Sequence, residues 1–152
     1  MRTFALDLTE AASFDVIERA LAERDDVRVA LLVNNAGFGT FGGFSDQPTG
    51  AAADMVRLLM LAPVELTYRA LPHMVAGSRV LNVASVEAFG PQPGRATYWA
   101  ATRFVLDFSR ALDEELGPVD IHVTALCPKF MRTAFLDHAG ADDVAAGMAR
   151  LT

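Results

Sequence analysis

Residues 79–102, RVLNVASVEAFGPQPGRATYWAAT, decide how this chain is read. The apolar run Val80–Val83 has the character of a buried strand, and it ends in Ser85. Gly90, Pro91, Pro93 and Gly94 then break the chain. Helical periodicity begins near Thr97, with Tyr98 thirteen positions after the serine. A strand tip therefore offers a hydroxyl, and the first turn of the next helix offers a phenol. In an open α/β sheet, ligands bind outside the carboxyl ends of the strands.

Outward from this stretch, the pattern alternates strands and helices. Thr3–Leu8 is short and apolar and reads as a strand carrying Asp7. Thr9 is a candidate N-cap for a helix with Phe14, Ile17, Ala20 and Leu21 on one side, closed by Asp25-Asp26. Val27–Val33 is nearly all aliphatic, the pattern of a strand buried on both faces of a parallel sheet. Strand, helix and strand at this spacing make a βαβ unit. From about Pro48 to Met74 a long helix is expected, kinked before Pro63, with Met55, Leu58, Leu59, Ala62, Leu66 and Ala70 as its apolar stripe. His73 stands near its end and is assigned no chemistry. Arg79–Ala84 is the next strand, Thr97–Leu116 the next helix with Asp113, Glu114 and Glu115 facing water, and Val119–Leu126 a further strand. A modest helix is expected over 137–152, with Ala145, Met148 and Ala149 as its apolar side.

Between the first two strands' tips and the long helix lie Asn34-Asn35-Ala36-Gly37. Asparagine side chains bond to backbone near a strand tip, and Gly37 permits close backbone approach. Gly37-Phe38-Gly39-Thr40-Phe41-Gly42 also spells G-x-G-x-x-G after a strand. A dinucleotide fingerprint must open a helix directly and be followed about 20 residues on by an acid-tipped strand. Gly43, Phe44, Ser45 and Pro48 intervene instead, so a loop over the site is expected, with Phe38, Phe41 and Phe44 as an apolar wall.

Composition bounds the rest. The 152 residues allow one domain, 1–152, and 52% apolar with 21% charged residues is a globular composition. A single cysteine, Cys127, excludes an internal disulfide. A net charge of −6 argues against nucleic-acid binding. No apolar run of membrane-spanning length occurs, and the opening MRTFALDLTE has acids where an export signal has its apolar core. A cytoplasmic protein is expected.

The chain resembles the short-chain dehydrogenases/reductases. The resemblance rests on NNAG at 34–37, NVAS at 82–85, Tyr98 opening a YxxxK-like run, and the CP-x-F-x-R-T segment at 127–133, and it runs from about Asp7 to about Phe135. It implies a partial Rossmann-like, doubly wound parallel sheet with flanking helices, lacking the first glycine-rich βαβ unit and the last strand. It implies hydride transfer between NAD or NADP and a carbonyl or alcohol. In that family the tyrosine is the acid, the serine holds the substrate oxygen, a lysine lowers the tyrosine pKa, and an asparagine anchors a relay water. The catalytic residues implied here are Ser85 and Tyr98. Cofactor binding is implied for Asp7 beside the adenine, Asn34, Ala36 and Gly37 lining the site, and Thr133 at the carboxamide. The long helices are the family's dimer interface, which implies a homo-oligomer.

Three supports depart from the family pattern. Leu59 occupies the asparagine position, so the relay reads as broken. Thr102 occupies the lysine position, and Arg103 beside it is turned about 100° around the helix. The T-G-x-x-x-G-x-G turn that binds the pyrophosphate is not supplied by anything before Asp7, which leaves cofactor binding in doubt. Lys129 stands where the family has glycine; it could replace the missing lysine in space, or be a surface lysine on a changed loop. Three functional expectations follow: a degenerate oxidoreductase of this family with weak or lost redox activity; a non-catalytic interaction or oligomerisation module; and a cofactor-independent enzyme that binds a carbonyl through Ser85 and Tyr98.

Overall fold

The computed structural model describes residues 2–24, 26–40 and 42–129. Three strands, β1 (Leu31–Asn34), β2 (Arg79–Val83) and β3 (His122–Leu126), form one sheet in the order β1-β2-β3. Both pairings are parallel, with Leu31 opposite Arg79 and Arg79 opposite His122. Helix α1 (Ala11–Ala22) precedes the sheet; α2 (Ala51–Val56) and α3 (Ala62–Ala70) join β1 to β2; α4 (Ala96–Leu116) joins β2 to β3. This is the expected parallel sheet with flanking helices, a partial Rossmann-like architecture, but the described helices do not cover both faces as a doubly wound sheet requires.

The helices cover one face of the sheet. Val80 and Val123 point into a core with Ala70 and Met74 from the α3 end and Ile121 from the β3 lead-in, flanked by Leu32, Leu112 and Leu116. The alternate residues face away from it: Leu31 is 57% exposed, Val33 47% and Leu126 48%. Val27–Val33 is thus not a strand buried on both faces. Only Leu31–Asn34 pairs, and β1 stands at the end of the strand order with one face open. Its aliphatic run satisfies the composition of a buried strand without the second layer that would bury it. Thr3–Leu8 is likewise no strand, because it has no paired neighbour to give it a ladder.

Thr9 does not cap α1; the N-cap is Glu10, without a side-chain bond. Asp7 organises this entry instead, its Oδ1 accepting from the Thr9 amide at 2.9 Å and the Thr9 hydroxyl at 2.7 Å. Arg69 ties α1 to α3, reaching Asp15 at 3.4 Å, Glu65 at 3.3 Å and also Glu18.

The long helix starts at Ala51 rather than Pro48, and its kink is real. Residues Arg57–Leu61 form a π-turn between α2 and α3. Pro63 has no N–H to return to the Leu59 carbonyl four residues back, so the ladder must shift register there.

A buried polar chain crosses the sheet. Asn34 Nδ2 donates to Asn82 Oδ1 at 2.7 Å and to Thr67 Oγ1 at 3.3 Å; Asn82 Nδ2 donates to Ser109 Oγ at 2.9 Å. Asn34 and Asn82 are register partners, so the chain links β1, β2, α3 and α4 just below the strand tips. Asp113 was expected in water, but its Oδ1 accepts from the Val123 amide at 2.8 Å and lies 3.1 Å from His122 Nδ1. It thereby ties α4 to the start of β3.

Candidate active site

The tip of β2 and the start of α4 meet where the sequence placed them. Ser85 follows β2 in an extended conformation and is 9% exposed. Its Oγ accepts from the Glu87 amide at 3.2 Å, capping a 3-10 turn over Val86–Phe89. The segment after β3 runs alongside: the Ala84 amide donates to Leu126 O at 2.8 Å and the Val86 amide to Pro128 O at 3.0 Å. Tyr98 lies in the first turn of α4, and the Ser85 hydroxyl is close enough to pull its phenol pKa down. The two oxygens are therefore one site.

The tyrosine ring rests on a second apolar cluster of Met55, Leu59 and Ala101, with Phe38 and Met60. Leu59, in the place of the family's asparagine, is thus packing for the tyrosine. It also explains Gly37: a Cβ there would stand 2.8 Å from Leu59 Cδ2. Thr102 is buried, and its Oγ1 donates to the Trp99 carbonyl at 3.0 Å, so this hydroxyl is turned to its own helix. Arg103 points outward and pairs with Asp107 at 2.7 Å. Lys129 is exposed at the edge of the described chain.

Two charges that sequence reasoning missed lie inside this site. Glu87, in the turn after Ser85, and Arg95, the N-cap of α4, form an ion pair whose side chains are 1% and 8% exposed. Glu87 Oε2 is buried with no hydrogen-bond partner among the described residues. Burial pushes the Glu87 carboxyl up, against the pull of Arg95. Burial also pushes the Tyr98 phenol above its ordinary value; the Ser85 hydroxyl pulls it back, Glu87 adds to the rise and Arg95 opposes it. The available signal was one acid and one base flanking the glycine-proline loop between the serine and the tyrosine.

The expected cofactor residues gather elsewhere. Asp7 and Ala36 line an open cleft of about 610 Å³ with Ala5, Leu6, Leu8 and Leu58. Leu58 faces this cleft while its neighbour Leu59 packs on Tyr98, so the π-turn separates the two regions. Asp7 is held below the ordinary carboxyl range by its bonds from Thr9. Asn34 serves the polar chain through its amide, as support for the strands; its Oδ1 has no partner among the described residues. Thr133 and the expected 137–152 helix lie outside the described residues.

The loop after β1 does not form a phosphate cradle. It leads into a 3-10 turn over Phe44–Asp46 rather than a helix, and the Gly42 amide is taken by the Gly94 carbonyl at 3.0 Å. Phe38 packs beside the tyrosine, but Phe44 is 69% exposed and makes no wall; Phe41 lies outside the described residues. Among the described residues, this loop offers no helix N-terminus to a pyrophosphate. No cluster among them could hold a metal ion, and no helix among them is long and apolar enough to cross a membrane.

A three-stranded parallel sheet with flanking helices, carrying a serine and a tyrosine at its carboxyl edge, defines a Rossmann-like protein. The short chain dehydrogenase family model matches residues 1–143, and the chain belongs to that family. It is 32% identical over 135 residues to a very-long-chain 3-oxoacyl-CoA reductase of Laccaria bicolor, covering 85% of this chain and 39% of that protein. It is 30% identical over 161 residues to a sulfoacetaldehyde reductase of Chromohalobacter salexigens, covering 97% of this chain and 62% of that one. Among solved structures, a short-chain dehydrogenase from Sphingobium yanoikuyae in complex with NADPH superposes with a TM-score of 0.79 at 31% identity, over 94% of this chain and 62% of that chain. The chain therefore spans less than two thirds of the length of these relatives.

Proposed function

We propose that this chain is a short-chain dehydrogenase/reductase in which Ser85 and Tyr98 bind the oxygen of a carbonyl or alcohol, with NAD(P)-linked redox activity weak or lost. The observation that carries this reading is the placing of Ser85 at the β2 tip beside Tyr98 in the first turn of α4, kept while Leu59 and Thr102 fill the asparagine and lysine positions with packing and a helix-bonded hydroxyl. Two hydroxyls converging on one point can donate to a carbonyl oxygen and stabilise negative charge developing on it. Tyr98 is suited to donating a hydrogen bond rather than taking a proton, because burial disfavours its phenolate. A bound nicotinamide nucleotide would supply hydride; Asp7 and Ala36 are the residues proposed to meet its adenine end, Asn34 and Gly37 to support the strand tips beside it, and Thr133 to meet its carboxamide. NADPH and NADP are favoured as probes by the NADPH-bound relative.

The test is titration of NADPH and NADH into the purified chain, followed by carbonyl turnover in the chain and in Tyr98→Phe. Weak or undetectable binding is expected. Tight binding with turnover abolished in Tyr98→Phe would show the site to be fully competent.

A second reading is self-association through the long helices. It is favoured by the apolar groups they expose, Leu61 at 47% and Tyr68 at 75%, and by the half-buried Phe104–Phe108 pair stacked at 5.7 Å on α4. Light scattering after size-exclusion chromatography tests it; a stable monomer ends it.

A further inference from the structure

The Glu87–Arg95 pair has no counterpart among the residues expected to do chemistry. Nine-tenths or more of each side chain is buried. A buried ion pair is weak evidence for stability, since desolvating two charges offsets most of their attraction. Its position is more informative. Glu87 is two residues beyond Ser85 and its amide donates to the Ser85 hydroxyl. Arg95 begins the helix whose first turn carries Tyr98, and its carbonyl accepts from the Trp99 amide at 2.8 Å. The ion pair therefore clamps the turn bearing the serine to the turn bearing the tyrosine. One carboxylate oxygen, Glu87 Oε2, is left buried without a partner among the described residues.

Among the described residues, the apolar cluster against which Tyr98 packs is neutral: Met55 from α2, Leu59 from the π-turn and Ala101 from its own helix. The nearest charges on α2 and the π-turn, Asp54 and Arg57, are half-exposed and pair with each other at 2.7 Å. From the segment after β3, Cys127 is a thiol pushed up by burial, and Lys129 is exposed.

We infer that the buried Glu87–Arg95 pair is the positioning element of this site: it clamps the serine turn to the tyrosine turn and sets two opposed charges beside the Tyr98 hydroxyl. This rests on the reading of Ser85 and Tyr98 as an oxygen-binding pair and names the residues that tune it. Arg95 favours the phenolate and Glu87 disfavours it, so the two act as opposed settings on one proton. With both charges present the phenol keeps its proton and acts as a donor. With Glu87 neutral, the guanidinium acts unopposed and the phenol becomes a stronger acid and, once ionised, a usable base.

The experiment is a phenolate absorbance titration that needs neither cofactor nor substrate. The sequence holds two tyrosines, so a Tyr68→Phe background leaves Tyr98 as the sole phenol. Far-UV circular dichroism run alongside marks alkaline unfolding. In that background Glu87→Gln is expected to lower the Tyr98 midpoint by about one pH unit or more, the effect of a nearby opposite charge. Arg95→Met is expected to raise it, and Glu87→Gln with Arg95→Met to return it toward the starting value. Should Arg95→Met fail to fold, Arg95→Lys takes its place; it keeps the charge, so the midpoint is expected to stay below that of a cation-free site, and Glu87→Gln remains decisive. A Glu87→Gln midpoint within a few tenths of a unit of the parent overturns the inference, as do shifts of the same sign in Glu87→Gln and Arg95→Met. Cofactor titration on the same proteins separates the two readings: a shifted midpoint without carbonyl turnover leaves the tuning intact and removes the redox function.

Discussion

The two regions on either side of the π-turn are built differently. On the Leu59 side, Ser85 and Tyr98 are held by a capped turn, a buried ion pair and an apolar cluster. On the Leu58 side, Asp7 and Ala36 line an open cleft, and Asp7 is held by its own neighbour Thr9 rather than by a paired strand. The first region takes its order from the β2–α4 scaffold with β3 alongside. The second hangs on a segment without a ladder. The region around Ser85 and Tyr98 is therefore held by more contacts than the region around Asp7.

The largest expected contrast is in stability. Arg95→Met leaves Glu87 buried and uncompensated and is expected to cost about 3–5 kcal/mol, whereas Asp7→Asn, at an exposed residue, is expected to leave the thermal unfolding midpoint nearly unchanged. Equal effects in the two variants would erase the distinction between the regions. Next comes the polar chain: Asn34→Ala strands buried partners at Asn82 and Thr67 and is expected to cost about 1–3 kcal/mol in chemical denaturation.

Gly37→Ala drives a methyl toward Leu59 and is expected to cost about 1–3 kcal/mol as overpacking. Leu59→Ala in the same chain should recover part of that loss, since the clash is with one side chain. Independent, additive losses in a double-mutant cycle would mean the contact does not matter.

The smallest effect separates two carboxylates by pH. Asp7 and Asp113 both titrate below their ordinary value of 3.8, Asp7 through the Thr9 amide and Asp113 through the Val123 amide. A depressed folded-state pKa gives stability that is present above the unfolded pKa and is lost as pH falls through the folded one. Asp113→Asn should therefore narrow the gap between stability at neutral pH and at about pH 3, and Asp7→Asn should do so less cooperatively with the core. Acid titration of unfolding free energy in both variants checks this.

Much of this organisation was legible in the sequence because local signals and tertiary contacts agree there. The strand, glycine-proline loop and helix around Ser85 and Tyr98 are each written in short-range pattern, and Pro63 dictates its kink through a missing donor. Gly37 was readable as a close approach, though not which side chain approaches. Val27–Val33 misled because aliphatic composition states a demand for burial without saying whether a second layer supplies it. Thr3–Leu8 misled because a strand is defined by its neighbour. Asp113 read as solvated from its helix face, yet it bonds a strand that follows it. Glu87 and Arg95 left only an acid and a base flanking the loop as a signal, because residues eight apart across a broken loop show no periodicity; the fold puts them together.

The decisive measurement is calorimetric titration of NADPH into this chain beside carbonyl turnover in the chain and in Tyr98→Phe. The built oxygen site and the open nucleotide cleft predict binding far weaker than about micromolar, the tight end of ordinary enzyme affinities, and little turnover. Micromolar binding with steady reduction that vanishes in Tyr98→Phe would contradict them.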